Sequence, residues 1–217
     1  MCDRIIAILI FFFVVSFPVS FTLAGERNLT AITPQEIPNF HRVDADLYRG
    51  GHPRCSGYAK LAALGIRTIV DLQGATKGSL RDCEAHRRGR AFPFRIISFR
   101  INFLQTAVTG VSNESLRRLF ASMERTPKPM FVTCKLGDDR TGLVVALYRM
   151  KRREMSFDQA KREALRYDFH PDLLLGLRTT LDRYRNPREV SLLPPADLSE
   201  APRRGVRQPK NHNKRAV

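Results

Sequence analysis

PMFVTCKLGDDRTGLVVALYRM, Pro129 to Met150, is the stretch on which the reading of the whole chain turns. Pro129 to Val132 has the apolar composition of a short buried strand. Leu143 to Met150 has that of a buried helix. Between them lie Cys134, Gly137, Asp138, Asp139, Arg140 and Thr141. A glycine-containing loop that runs from a strand into a helix N-terminus gathers backbone N–H groups around an anion. A cysteine opening such a loop reads as more than a packing residue.

Working outward, strand and helix patterns alternate. Leu47–Arg49 is a short strand candidate closed by Gly50 and Gly51. Ser56 to Leu64 carries Tyr58, Leu61, Ala62 and Leu64 at helical spacing and stops at Gly65. Ile66 to Leu72 is a β-branched strand, Ser79 to Arg88 a polar helix, Phe92 to Ser98 a further strand, and Asn113 to Glu124 a helix. Beyond the loop, Thr141 to Arg153 is helical. Ser156 and Gln159 form a capping box for the next helix, and a last helix follows Pro171. This alternation predicts an α/β fold, with a mostly parallel central sheet flanked by helices on both faces. Ligands in such sheets bind at the carboxyl ends of the strands, where Cys134 lies.

The two ends of the chain read differently. Residues 1–24 combine Arg4, the apolar run Ile5 to Val15 and a small-residue Thr22–Leu23–Ala24 site, the pattern of a secretory signal peptide. Export to a periplasm or to the outside is the expectation. The alternative is an uncleaved membrane anchor over residues 5–24. Residues 186–217 are basic and Pro-rich, with no apolar periodicity, and read as a disordered tail. The formal net charge of +16 favours anionic partners, including an anionic membrane surface reached through that tail. No aromatic-and-basic signature points to nucleic acid. The five histidines have no zinc-site spacing, and Cys83-x2-His86 alone is too little for one, so no metal or cofactor is expected. Cys2 would leave with a signal peptide. Cys55 and Cys83 either pair in an oxidising compartment, leaving Cys134 free, or are two small buried side chains.

The loop contains what displacement at a phosphate monoester requires. Cys134 is the candidate nucleophile, because a helix N-terminus, a nest of N–H groups and a guanidinium all favour the thiolate. Arg140 can hold two phosphate oxygens with its planar fork. Gly137 allows a tight loop, Thr141 brings a hydroxyl near the sulfur, and Lys135, Leu136 and Asp138 line the cradle. No other cysteine has an arginine six positions later.

Cys134-x5-Arg140-Thr141-Gly142 after a hydrophobic strand resembles the signature of the cysteine-dependent protein tyrosine and dual-specificity phosphatases. Leu47-Tyr48-Arg49-Gly50-Gly51 and Leu64 to Leu72 are similar to the opening of compact dual-specificity-like members. The resemblance spans about residues 38–185 and implies a phosphatase domain working through a phosphocysteine, without a metal. Two departures stand out. Thr133 replaces the family's usual histidine, and no aspartate lies between Asp82 and Asp138 to act as the usual general acid. The segment expected to carry that acid offers Asn102 and Gln105, and Glu114 falls in a first helical turn. The Asp-Arg-Thr form of the loop is similar to that of some phosphoinositide phosphatases, including myotubularins, which implies Asp139 as the acid. The alternative is that Asp138 and Asp139 shape the loop by pairing with neighbouring basic groups.

The leading expectation is an exported phosphomonoesterase acting on phosphotyrosine or mixed phosphoprotein substrates. The alternatives are a phosphoinositide or inositol-phosphate phosphatase, favoured by Lys135 and the charge, and a catalytically weak phosphate-binding relative, favoured by Thr133 and the missing acid. Sulfur transfer and arsenate reduction rank last.

Overall fold

A computed structural model of the chain describes residues 32–193. The expected leader at 1–24 and the tail from residue 194 onward lie outside the described residues. Five strands form one sheet in the order β1-β2-β5-β3-β4. These are β1 (His41–Arg42), β2 (Leu47–Gly50), β3 (Thr68–Asp71), β4 (Arg95–Ser98) and β5 (Met130–Thr133). β2, β5, β3 and β4 run parallel, and only the edge strand β1 pairs antiparallel. The mostly parallel α/β sheet expected from the alternation is therefore the fold of this protein.

Helices cover both faces because each central strand buries both sets of side chains. Leu47, Val70, Met130 and Val132 join one core with α3 (Asn113–Glu124), α4 (Asp139–Lys151), α5 (Phe157–Arg166) and α6 (Leu175–Arg183). Their neighbours Tyr48, Ile69 and Phe131 join the other, beneath α1 (Cys55–Ala63) and α2 (Thr76–His86). α4 buries every residue from Thr141 to Tyr148, as a helix apolar on all sides must. It is wedged between the sheet and α5, which starts at the expected Ser156–Gln159 capping box. This burial fixes the N-terminus of α4, and with it the loop that follows β5.

Three elements depart from the sequence reading. His41–Arg42 adds the antiparallel edge. Gln105–Thr109 forms a π-helical turn where an open loop was expected. Pro187–Ser191 forms α7 inside the segment assigned to the tail, with Asn186 accepting from the Arg188 N–H and Val190 and Leu193 buried. Proline at the first helical position favours a helix start, so this proline marks order where a Pro-rich composition suggested disorder. The folded part thus extends past residue 185, at least to Leu193. Among the described residues, no helix is long and apolar enough to cross a membrane.

Candidate active site

β5 ends at Thr133, and Cys134 follows it, buried against the core beneath α4. The Thr133 hydroxyl donates to the Cys134 carbonyl at 3.2 Å. No backbone carbonyl among the described residues accepts from the N–H groups of Lys135 to Arg140. The loop's carbonyls are instead held from outside. His52 N–H donates to Lys135 O at 3.1 Å. Arg49 Nη2 donates to Gly137 O at 2.6 Å, and Asn39 Nδ2 reaches the same oxygen at 3.3 Å. A loop with its carbonyls fastened outward and its N–H groups free of backbone partners is an anion cradle.

Gly137 makes this seating possible. Its φ is +90°, and a Cβ there would lie 2.4 Å from both Gly50 C and Gly51 N. Only glycine tolerates both the left-handed backbone and so close an approach.

The loop residues proposed from sequence come together around this cradle. Thr141 is fully buried, and its Oγ1 has no partner among the described residues. Lys135 and Leu136 are exposed on the outer side of the loop, and Asp138 is half-buried. Arg140 Nε donates to Thr106 Oγ1 at 3.0 Å, which ties the guanidinium to the π-helical turn. The segment expected to present an acid thus positions the arginine instead. Its amides are occupied as well, for Asn102 and Gln105 exchange reciprocal bonds of 3.0 and 2.8 Å that cap the turn. Glu114 sits on the exposed surface of α3 beside Arg118, outside the site. Arg100 is exposed.

The two aspartates differ in their surroundings. Asp139 Oδ1 accepts from His170 N at 2.8 Å and faces His170 Nδ1 at 3.1 Å. Burial raises the Asp138 carboxyl above the usual aspartate range, and its own backbone N–H only partly offsets this. A ligand atom from each of Asp138, Asp139 and His170 falls within 4.8 Å of the others. The Asp139–His170 pairing already accounts for much of that convergence.

Arg49 is the largest of the fully buried side chains, with 1% of its surface exposed. Its guanidinium carbon lies 4.5 Å from the Tyr167 ring centroid, a cation–π distance. Its Nε and Nη1 have no acceptor among the described residues. Leaving buried donors unmet costs about 1–3 kcal/mol each, so this arrangement calls for a reason.

Several large apolar side chains are exposed on the loop, on the π-helical turn and before α6. Phe103 is 79% exposed and Leu173 78%, and Leu104, Val108, Leu136 and Leu175 are also exposed. The π-helical turn and α6 pack closely, with a Gly176 Cβ position only 2.1 Å from Gln105 O, so these side chains share the rim. Cys55 and Cys83 form a disulfide joining α1 to α2, and Cys134 is the free cysteine among the described residues.

Comparison with known proteins agrees with this geometry. The dual specificity protein phosphatase TpbA of Pseudomonas aeruginosa is 27% identical over 114 residues, which cover 52% of this chain and 46% of that protein. The chain therefore aligns with about half the length of the curated relatives it matches. The crystal structure of P. aeruginosa TpbA superposes with a TM-score of 0.54 at 23% identity, covering 75% of this chain and 92% of that one. The catalytic core of the PP-IP phosphatase Siw14 from S. cerevisiae gives a TM-score of 0.55 at 17% identity, covering 70% and 89%. These structures share the fold. The family described as "DSP-PTPase phosphatase fused to NAD+ Kinase" matches residues 28–173, more than half of the chain. With its cysteine loop, buried α4 and parallel sheet, the chain belongs to this family of dual-specificity-type phosphatase domains.

Proposed function

We propose that the protein hydrolyses phosphotyrosine or mixed phosphoprotein monoesters through a phosphocysteine. One observation carries the reading: Cys134 sits at the carboxyl end of β5, at the mouth of a loop whose carbonyls are fastened outward, with Arg140 at the helix start. The Cys134 thiolate attacks phosphorus, so that a P–S bond forms as the P–O bond to the leaving group breaks. Arg140 and the loop N–H groups take up the equatorial charge. The departing oxygen takes a proton from Asp138, and water then cleaves the P–S bond, returning a proton to Asp138 and a thiolate to Cys134.

Asp138 is preferred to Asp139 as the acid because the Asp139 carboxylate is turned to His170, accepting from its backbone N–H and facing its Nδ1. Asp139 then fixes the start of α4 against the loop before α6. The apolar rim of Phe103, Leu104, Val108 and Leu136 supports an aryl ester over a bare inositol ring. The exposed Lys135 supports a phosphoinositide or inositol-phosphate substrate as the second reading. Export through residues 1–24 is part of the proposal, and the Cys55–Cys83 disulfide supports an oxidising compartment.

The test is steady-state turnover of a small aryl phosphate by the wild type and by Cys134→Ser. The serine variant is expected to lose turnover and to keep binding a phosphate analogue, and Arg140→Lys to fail as well, since a point charge cannot make the bidentate contact. Substantial activity in the serine variant would refute the phosphocysteine. Analogue binding with no turnover in the wild type would identify a binding module.

A further inference from the structure

Arg49 lies outside the cysteine loop, 88 positions before Gly137, yet it is wedged beneath that loop. Strand alternation directs it to the same face as Leu47, the α4 side, and the Leu47↔Met130 to Gly50↔Thr133 register carries it to the end of β5. A surface-type guanidinium would find a carboxylate there. Among the described residues none lies within ion-pair distance of it. Glu163 is paired with Arg149, 3.1 Å away, and Asp138 belongs to the loop. The other groups facing Arg49 are Tyr167 from the end of α5 and His41 from β1, whose imidazole burial and the Arg49 charge hold below the usual histidine range. Arg49 is thus a buried cation without a resident anion.

We propose that Arg49 is a positioning residue for the phosphatase reaction. It clamps the Gly137 carbonyl out of the cradle and places an unpaired positive charge beneath Cys134. The proposal rests on the phosphocysteine reading above.

Two physical consequences define the role. Fixing the Gly137 carbonyl outward fixes the peptide that joins Gly137 to Asp138, and with it the backbone that shapes the cradle. Arg49 also provides charge that the residue before Cys134 does not, because Thr133 directs its hydroxyl to the Cys134 carbonyl. Burial lowers the affinity of Arg49 for its proton, and Tyr167, Cys134, Glu163 and Asp138 work against that loss. The guanidinium touches neither substrate nor reacting atoms on this geometry; it acts through the loop and through its field.

The experiment uses the full chain with Arg49→Met and Arg49→Lys. Three readouts are taken from each: thermal unfolding, the pH profile of Cys134 alkylation, and kcat and KM for an aryl phosphate. Arg49→Met is expected to move the alkylation profile to higher pH and to lower kcat by roughly tenfold or more, less than the 10²–10³ for a donor touching the oxyanion. KM should change less than kcat. Arg49→Lys keeps the charge but replaces the fork, so the alkylation profile should return toward wild type while kcat recovers only in part. If the Met variant lacks a cooperative melt, the Lys variant and Arg49→Gln decide. An alkylation profile unchanged in every folded variant overturns the proposal, whatever the melting temperatures show. The alkylation readout needs no turnover, so a wild type inactive on aryl phosphates would refute the phosphatase reading while the field of Arg49 is still measured.

Discussion

Exchanging each loop aspartate for asparagine separates the proton donor from the carboxylate that organises the helix start. Asp139→Asn keeps an acceptor but removes its charge, and Asp139 Oδ1 accepts from His170 N at 2.8 Å and faces His170 Nδ1 at 3.1 Å. A charge-assisted bond exceeds its neutral counterpart by about 1 kcal/mol. Both side chains are partly exposed, and solvent screening reduces the summed loss to about 1 kcal/mol. For a domain of this size that is a fall in Tm of about 2–4 °C. Its turnover should drop by a similar factor for all substrates.

Asp138→Asn removes no side-chain bond to another element, so its stability should stay within about 0.5 kcal/mol of wild type. Its kcat should fall by about 10²–10⁴ with basic leaving groups and hardly at all with nitrophenolate, which needs little protonation. Burial raises the Asp138 carboxyl, so its proton persists to higher pH than on an ordinary aspartate. The alkaline limb for basic leaving groups should therefore lie above the usual aspartate range and vanish in Asp138→Asn. The assay is kcat across a series of aryl phosphates and pH values, with Glu114→Gln as a control expected to match wild type. A leaving-group-dependent loss in Asp139→Asn and none in Asp138→Asn would refute the assignment. If neither variant shows one, the loop contains no dedicated acid.

Gly137→Ala should cost about 1–2 kcal/mol from the left-handed backbone alone, and its Cβ would meet the Gly50–Gly51 backbone at 2.4 Å. Turnover should fall further than stability, as melts paired with kcat measurements would show. The double change Cys55→Ser/Cys83→Ser opens a loop of 28 residues' separation and should cost about 2–4 kcal/mol, with turnover per folded molecule unchanged. In the wild type, peptide mapping after thiol labelling should find Cys134 modified and Cys55 and Cys83 bridged. The hydrogen bond from Lys60, then that from Thr33 N, holds the Glu36 carboxyl at about 2 against 4.5 unperturbed. The lowered value means this stabilisation is present above about pH 4.5 and is lost as pH falls toward 2. Glu36→Gln should remove that acid limb from a stability–pH curve.

The sheet and the cysteine loop were legible because both are local patterns. β-branched runs alternating with helical periods carried the fold, and one strand–loop–helix stretch carried the cysteine, the arginine and the glycine of the loop. What surrounds that loop was not legible, because it arrives from distant parts of the chain. Asn39 and Arg49 reach Gly137 across 98 and 88 positions, and Thr106 and His170 reach Arg140 and Asp139 across 34 and 31. Nothing in the neighbourhood of Arg49 in sequence distinguishes it from the other arginines of a strongly basic chain. The one available signal was its place in a strand otherwise made of buried residues, where a charge needs an explanation. The π-helical turn was hidden for a related reason: Asn102 and Gln105 look like failed acids until their reciprocal capping bonds are seen. Pro187 misled in the opposite direction, since the same residue starts helices and populates tails.

The central sheet also divides the sulfur chemistry of the molecule. Cys83, with its bridge to Cys55, packs in the core beneath α1 and α2, while Cys134 packs in the core on the α4 side. An oxidant that converts Cys134 to a sulfenic acid therefore finds no neighbouring thiol among the described residues to close a protective disulfide. Without a resolving thiol among those residues, prolonged exposure to peroxide drives the sulfur on toward irreversible sulfinic acid. The bridge that stabilises one face offers the free thiol on the other no rescue.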